Sequence, residues 1–468
     1  MRFSAARTIE QVLPSALTAR LEPLARAMDA VLGGEDDASQ AQRASLTVFA
    51  IRIVSAAIAF LTQVALARLM GVFDYGVFVF VWVAMIIIGN LSCLGFQTAV
   101  IRFLPQYRAR ADLDHLRGLI VSGRAFVLTT ATAIAALTIA IAWLGRAHFD
   151  AHYVLPFVIG ALALPMISLG DALDGTARAN GWPVRALGPT YIVRPLLILA
   201  FLAAAHAMGV AIDAVTGLVC AVLATYATTV GQFVVVSSSL GRRYPDGARR
   251  TAFPLWLSVA LPIFLVEGFF FLLINADVLM VGALMRPDDV AVYFATVKTL
   301  ALVHFVYFAV KAGVAHRFAA RIEDADKTRL RALARRTVSW TFWPSLAMAG
   351  VVLAVGPVLL AMFGGEFGAG YPLLFILSAG VVIRAAVGPA ESLLTMSGHH
   401  GICAALFGAI LMLNVALNAV LIPVHGLYGA AMATFLATIV EAFALFQLVR
   451  WRIGVAMFVF ARTRPEEG

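Results

Sequence analysis

The chain has 468 residues, 62% of them apolar and 13% charged, with a mean hydropathy of +0.91. Soluble proteins average roughly half apolar and about a quarter charged, so an ordinary soluble enzyme, a disordered chain and a disulfide scaffold are excluded, and a polytopic membrane protein is expected. The formal charge of +9, from 35 Lys and Arg against 26 Asp and Glu, is read first as membrane topology rather than as affinity for nucleic acid, because basic residues collect in cytoplasmic loops.

In chain order, residues 1–45 read as a cytoplasmic tail of mixed charge. It has no apolar run before a small-residue cleavage site, so it is no secretory signal. Residues 16–32, rich in Leu and Ala, fit either an amphipathic helix on the membrane surface or a solvated tail. Twelve runs long enough to cross a bilayer follow, since each crossing takes about 20 apolar residues. They fall near 46–70, 76–96, 125–145, 153–173, 190–208, 214–236, 256–284, 290–313, 338–362, 372–393, 402–422 and 427–449. The expected fold class is therefore all-α, a polytopic membrane protein. No alternating ten-residue pattern argues for a β-barrel. Cys93, Cys220 and Cys403 lie in or beside apolar runs without CxxC spacing, and His399-His400 lacks a third ligand, so no metal or cofactor is expected.

The connections set the orientation. Those after spans 2, 4, 6, 8 and 10 hold eighteen basic residues and those after the odd spans only two, Arg146 and Arg286. The positive-inside rule then puts both termini in the cytoplasm. Twelve spans also invite a search for two sixes. Asp74-Tyr75-Gly76-Val77-Phe78 aligns with Asp289-Val290-Ala291-Val292-Tyr293, and Arg102-Phe103 with Arg317-Phe318, both at an offset of 215, while Gly181 aligns with Gly398 at 217. Six is an even number of spans, so the halves share one orientation: a parallel duplication. The expected division is residues 46–240, a cytoplasmic connection 241–255, residues 256–449 and a cytoplasmic tail 450–468.

Ionisable residues within spans cost about 2.5–3.5 kcal/mol on insertion scales and point to function. Arg52 shares one side of span 1 with Ser55, Thr62 and Gln63, a polar stripe that favours a water-filled cavity. Lys298 lies in span 8, where His304, Tyr307 and Lys311 share another face. Arg194 and Lys311 fit snorkelling to the headgroups. For Arg384 two readings stand: a cavity cation, or the partner of a buried acid, Glu441 or Glu391. Glu267 and Asp277, in span 7, are ion-coupling candidates, or partners for Arg52 or Lys298. Asn414 and Asn418 fit helix–helix hydrogen bonds, or contacts with substrate or an ion.

Three stretches carry a family resemblance. Ala67-Arg68-Leu69-Met70-Gly71 with Asp74-Tyr75-Gly76, then Gly95-Phe96-Gln97 with Ile101-Arg102-Phe103-Leu104-Pro105, and last Asn414…Asn418 with Leu421-Ile422-Pro423 and Gly426-Leu427-Tyr428-Gly429-Ala430-Ala431 resemble the multidrug/oligosaccharidyl-lipid/polysaccharide exporter superfamily, in particular its oligosaccharide-lipid flippase branch. The resemblance implies two six-helix lobes around a central cavity lined mainly by spans 1, 2, 7 and 8. It implies transport of an undecaprenyl-pyrophosphate-linked oligosaccharide across a bacterial inner membrane, for which the span residues Arg52, Gln63, Lys298 and Arg384 are the substrate-binding candidates. Membrane lipids, a polysaccharide polymerase and glycosyltransferases would be partners. The alternative is a cation-coupled multidrug exporter on the same fold, for which an acidic cavity is expected. A membrane enzyme is disfavoured: the connections after odd spans are too short to hold an acceptor, and no nucleotide-binding Gly-rich loop occurs.

Overall fold

The computed structural model describes residues 37–148, 150–323 and 327–461. The expected surface helix at 16–32 lies outside them. Among the described residues there is no strand, as hydrocarbon demands of an open chain whose every backbone polar group must bond within its own segment.

Ten helices are long and apolar enough to cross a membrane, and a pair bent by 43°, Ala151–Ala161 with Leu164–Ala179, makes an eleventh span. The twelfth is hidden in the first helix, Asp37–Ser92, of 56 residues. Straight, it would run about 84 Å, nearly three times the ~30 Å hydrocarbon core. It turns back at Gly71, whose φ of 78° is the left-handed region that glycine adopts without strain. The reversal lets Tyr75 Oη donate to Gln63 Oε1 at 2.9 Å, twelve residues away in sequence, where a straight helix would hold them about 18 Å apart. Span 2 breaks at 93–95 and continues as Phe96–Ala109. Leu113–Leu144, the bent pair, Pro183–Ala207 and Ala214–Arg243 are spans 3 to 6. Span 7 is Phe253–Leu273, extended past a break by Ala276–Leu284, and span 8 is Pro287–Glu323. Lys327–Phe363 is span 9, and Gly365–Met396, His400–His425 and Leu427–Arg452 are spans 10 to 12.

The duplication is visible in the backbone. Span 4 ends with Gly181 N–H donating to Arg178 O (2.9 Å) and Trp182 N–H to Ala177 O (2.9 Å); span 10 ends with Gly398 N–H to Thr395 O (3.0 Å) and His399 N–H to Leu394 O (3.0 Å). Both glycines have positive φ, 73° and 82°, so the same left-handed cap closes the same helix in each lobe. Its partner in span 3 is an Asp112 cap: the carboxylate accepts from His115 N–H, and that bond holds its pKa below the usual carboxylate value.

Two faces are distinguished here by their connections: the basic face, carrying those after even spans, and the opposite face. Near the opposite face one apolar core runs through both lobes, from Tyr75 and Phe78 through Leu218 to Tyr293, Phe294 and Leu374. Toward the basic face the interior splits. One cluster holds N-lobe residues such as Phe103, Leu119 and Leu173 together with Trp256 of span 7, and the other holds Phe318, Leu393 and Leu445 of the C-lobe. The lobes are thus fused at one end and parted at the other. The fusion is tight: Arg68 donates to the carbonyls of Met362 (2.7 Å) and Ala361 (2.6 Å), Tyr75 lies edge-on to Phe294 and Phe367, and Gly76 brings the span 2 backbone against Pro287.

The connection between the lobes does not hang free. Arg117 donates to Pro245 O (2.8 Å), Arg250 N–H to Asp114 O (3.0 Å) and Trp256 Nε1–H to Tyr107 Oη (2.8 Å). Past span 12 the tail turns back, burying Val455 and Met457, and Val459 N–H donates to Ala386 O, freed by the break in span 10 (3.0 Å).

A Cβ on residue 76 would lie 1.8 Å from the Pro287 carbonyl oxygen, whereas one on residue 231 would meet nothing within 4 Å. Gly76→Ala should therefore lower the thermal unfolding midpoint by forcing the lobes apart, an overpacking cost of about 1–3 kcal/mol. Gly231→Ala, a helix-favouring change worth up to about 1 kcal/mol, should leave the midpoint unchanged or raised.

Candidate functional site

The charges inside the spans gather in the parted half. Span 4 places Asp171, Asp174 and Arg178 on one face, at i, i+3 and i+7. Arg178 clamps Asp174 through Nε (3.1 Å) and Nη2. Asp171 is different: among the described residues its carboxylate accepts from Asn90 Nδ2 of span 2, at 3.2 Å, and no cation lies within ion-pair distance of it. Arg52, exposed on span 1, acts electrostatically on Asp174 and on Tyr191. Tyr191 stands in a π-helical turn, Pro189–Val193, that interrupts span 5 after its first six residues, Pro183–Gly188. Arg194, just after this turn, is half-buried, interacts electrostatically with Asp171 and has no ion-pair contact among the described residues.

The C-lobe answers with a closed network. Arg384 donates Nε–H to Glu441 Oε1 (2.9 Å), Nη2–H to Glu391 Oε2 (2.6 Å) and to Tyr307 Oη (2.9 Å), and Nη1–H to Gly388 O (2.8 Å). Of the two readings of Arg384, the structure realises the paired one, with both named acids at once and every guanidinium nitrogen engaged. Lys311 does not snorkel: its ammonium pairs with Glu391 Oε1 at 3.0 Å, which also accepts from Tyr307 Oη at 2.6 Å. Asp174 and Glu391 are 217 residues apart, the offset of the capping glycines, so each lobe sets a paired carboxylate at the same position of the repeat.

Between the walls stands Glu267, exposed on span 7, accepting from Thr98 Oγ1 at 2.9 Å. The charges of Arg178 from the N-lobe and Lys311 from the C-lobe both act on it. Lys298 is half-buried on span 8, its ammonium 4.7 Å from the Phe294 ring centroid, a cation–π contact that leaves the charge unneutralised. Neither Arg52 nor Lys298 has an ion-pair partner among the described residues. Gln63 serves the Tyr75 lacing at the fused end. Asp277 is buried there too, beyond the break in span 7, accepting from Tyr293 Oη (2.8 Å) and Val278 N–H (3.0 Å). Asp277 and Glu267 therefore do not share a site. Asn414 and Asn418 bond each other along span 11, Nδ2 to O at 2.9 Å and to Oδ1 at 3.0 Å, rather than bridging two helices.

Asp171, Asp174, Arg178 and Tyr191 are absent from the sequence-named set. Ending span 4 near residue 173 put Arg178 among the loop charges. The i, i+3, i+7 pattern of the three span 4 charges was the signal available. No group of three His, Cys, Asp or Glu able to hold a metal occurs among the described residues.

With this geometry in place, comparison with known proteins is informative. A family model described as "Polysaccharide biosynthesis protein" matches residues 43–315. Among curated proteins none matches by sequence. The chain superposes on an inward-facing multidrug resistance MATE family transporter of the MOP superfamily with a TM-score of 0.70, at 15% identity over 88% of this chain and 98% of that one. An outward-facing structure of such a transporter gives 0.62, at 15% identity over 88% and 95%. A MOP superfamily transporter from Pyrococcus furiosus, described by a reversed polarity of its binding pocket, gives 0.65, at 16% identity over 91% and 97%. These likenesses show the fold: twelve helices in two six-helix lobes around a central cavity.

Removing Arg384 would leave Glu441 without a cation and Glu391 with Lys311 alone. Arg384→Met should destabilise the protein by about 3–5 kcal/mol, as expected for one partner taken from a buried ion network. The double variant Arg384→Met/Glu441→Gln should recover part of that loss, both read by thermal unfolding of the purified protein.

Proposed function

Because the chain belongs to the polysaccharide biosynthesis protein family, we propose that it translocates an undecaprenyl-pyrophosphate-linked oligosaccharide across the bacterial inner membrane, in service of exopolysaccharide or O-antigen-type polymer synthesis. One observation carries the substrate class: Arg52 and Lys298, cations in membrane-spanning helices, have no carboxylate partner among the described residues. Leaving such charges unpaired is costly in a bilayer, and a pyrophosphate supplies what they lack. Arginine offers it bidentate, charge-assisted hydrogen bonds, and lysine a point charge.

The orientation follows the positive-inside rule, with the basic face cytoplasmic. The parted half of the molecule then opens toward the cytoplasm, where the lipid-linked sugar is made. The polyprenyl tail would stay in the hydrocarbon while headgroup and sugar enter the cleft. Closing the basic face and parting the lobes at the Arg68–Met362 contacts would release them outside, a rocking of two repeats about a central site.

A second reading, a cation-coupled multidrug exporter, draws on Glu267, an exposed carboxylate held only by a neutral hydroxyl and suited to an organic cation. Expression in cells challenged with cationic dyes separates the two. A survival advantage that depends on Glu267 and not on Arg52 favours the drug reading.

Arg52→Ala and Lys298→Ala should each lower polymer export at least tenfold at unchanged protein level, with lipid-linked repeat units accumulating on the inner leaflet. Arg52→Lys should retain part of the activity, since charge survives while the bidentate geometry is lost. Normal export from both alanine variants overturns the cationic-cleft assignment.

A further inference from the structure

Six carboxylates of the spans have been placed above, Asp171, Asp174, Glu267, Asp277, Glu391 and Glu441, and their partners sort them. Asp174, Glu391 and Glu441 face guanidinium or ammonium groups. Asp171, Glu267 and Asp277 face neutral donors: an amide, a hydroxyl, and a phenol with a backbone N–H. A neutral donor suits a carboxyl that changes its protonation, because the contact survives loss of the charge. The Asn90 amide goes further, since it donates to the ionised form and, turned over, accepts from the protonated one.

Asp171 is set apart by the backbone around it. Asn90 sits one turn before the break in span 2, where Leu94 and Gly95 take φ of 46° and 77°. For leucine this is a strained conformation. On the other side runs the π-helical turn Pro189–Val193 with Tyr191. Such irregular turns recur at functional sites, and interrupted spans recur at the ion and substrate sites of transporters. The break in span 2 lies one turn from Asn90, the partner of a carboxylate about 12 Å inside the basic end of span 4, and Tyr191 of the π-helical turn interacts electrostatically with that carboxylate.

We propose that Asp171, held by Asn90 between the broken span 2 and the π-helical turn of span 5, is a proton-binding site of the N-lobe that ties proton flow to the movement of the lobes. The reading rests on the exporter function above, though proton binding itself does not depend on the substrate. Protonation turns the charge-assisted Asn90–Asp171 bond into a neutral one, roughly half as strong. Span 2 feels the change, because it carries Tyr75 and Gly76 in the fused end and Gly95 against Ala260 of span 7. The groups around Asp171 are Asn90 and Cys93 from span 2, Tyr191 and Arg194 from span 5, and Asp174 and Arg178 from its own helix. Arg52 of span 1 reaches Asp174. Span 6 presents Thr229 and Gln232 to neighbouring Gly170, and Arg124 of span 3 is turned to Ser237. The contact made to Asp171 itself is a donor, Asn90 Nδ2, and not an oxygen, which suits a proton better than sodium, a hard cation that needs several oxygens.

The test is infrared difference spectroscopy of the full-length protein in phosphatidylethanolamine/phosphatidylglycerol vesicles, stepped from neutral to acidic pH. A protonated-carboxyl band should appear in the wild type, be lost in Asp171→Asn and persist in Glu267→Gln and Asp277→Asn. Asn90→Leu, which removes only the neutral donor, should displace the pH at which the band appears. A thermal unfolding midpoint equal to that of the wild type certifies that Asp171→Asn is folded. An undiminished band in folded Asp171→Asn overturns the proposal, as does a response at that residue to a sodium step at fixed pH without the acid-induced band. A band that depends on Asp171 in a protein whose export variants behave normally would keep the proton site and reject the pyrophosphate reading instead.

Discussion

A bilayer offers no water to solvate a charge, so each ionisable side chain placed in a span must find a counter-charge, a polar partner or a wet cleft. The layout of this protein follows from that constraint. The fused half is built almost entirely of apolar side chains, with Arg68 turned onto carbonyls and Asp277 onto a phenol and an amide N–H. Most of the charges gather in the parted half, where Arg384 of the C-lobe closes a network with Glu391, Glu441 and Lys311, while Arg52, Asp171, Glu267 and Lys298 stay outside any ion pair among the described residues. The difference between the lobes is one of completion. Each has a paired carboxylate at the same place in the repeat, but Glu391 is held by two cations and a phenol, while Asp174 has one clamp and an uncommitted neighbour, Asp171.

Duplication sets up this asymmetry. A parallel repeat delivers the same helix ends and the same left-handed caps to both lobes, as Gly181 and Gly398 do. The backbone is thereby shared while the side chains are free to differ. One lobe ties Lys311, Arg384, Glu391 and Glu441 into a closed network, and the other keeps Asp171 near the break in span 2.

The spans, their number and the two lobes were legible in the sequence because each rests on a strong, local signal: runs of about 20 apolar residues, basic residues crowded into alternate connections, and matches at nearly one offset. The cationic residues Arg52 and Lys298 were legible as charges out of place, and the acids that hold Arg384 were named among the alternatives. What escaped was set by backbone detail. Span 4 runs on to Ala179, past the point where hydropathy falls off, because Arg178 is neutralised by Asp174 and needs no loop. The break at 93–95 and the π-helical turn at 189–193 have no periodic signature, and both bear on Asp171. The separation of Glu267 from Asp277 likewise depends on the interruption at Ile274 and Asn275, which an unbroken apolar run conceals.

The stapling of the inter-lobe connection has a consequence for where the molecule bends. Arg117, Asp114 and Tyr107 fasten residues 245–256 to the N-lobe, while the far part of span 7 packs with the C-lobe through Phe270 and Phe407. The flexure then belongs inside a membrane helix, in the stretch between Trp256 and Phe270 that contains Pro262, where a missing N–H already loosens the ladder. The mechanical border between the two bodies is thus offset from the border of the repeats. A chimera that exchanges whole lobes with a relative would be spliced more naturally within span 7 than in the aqueous loop before it.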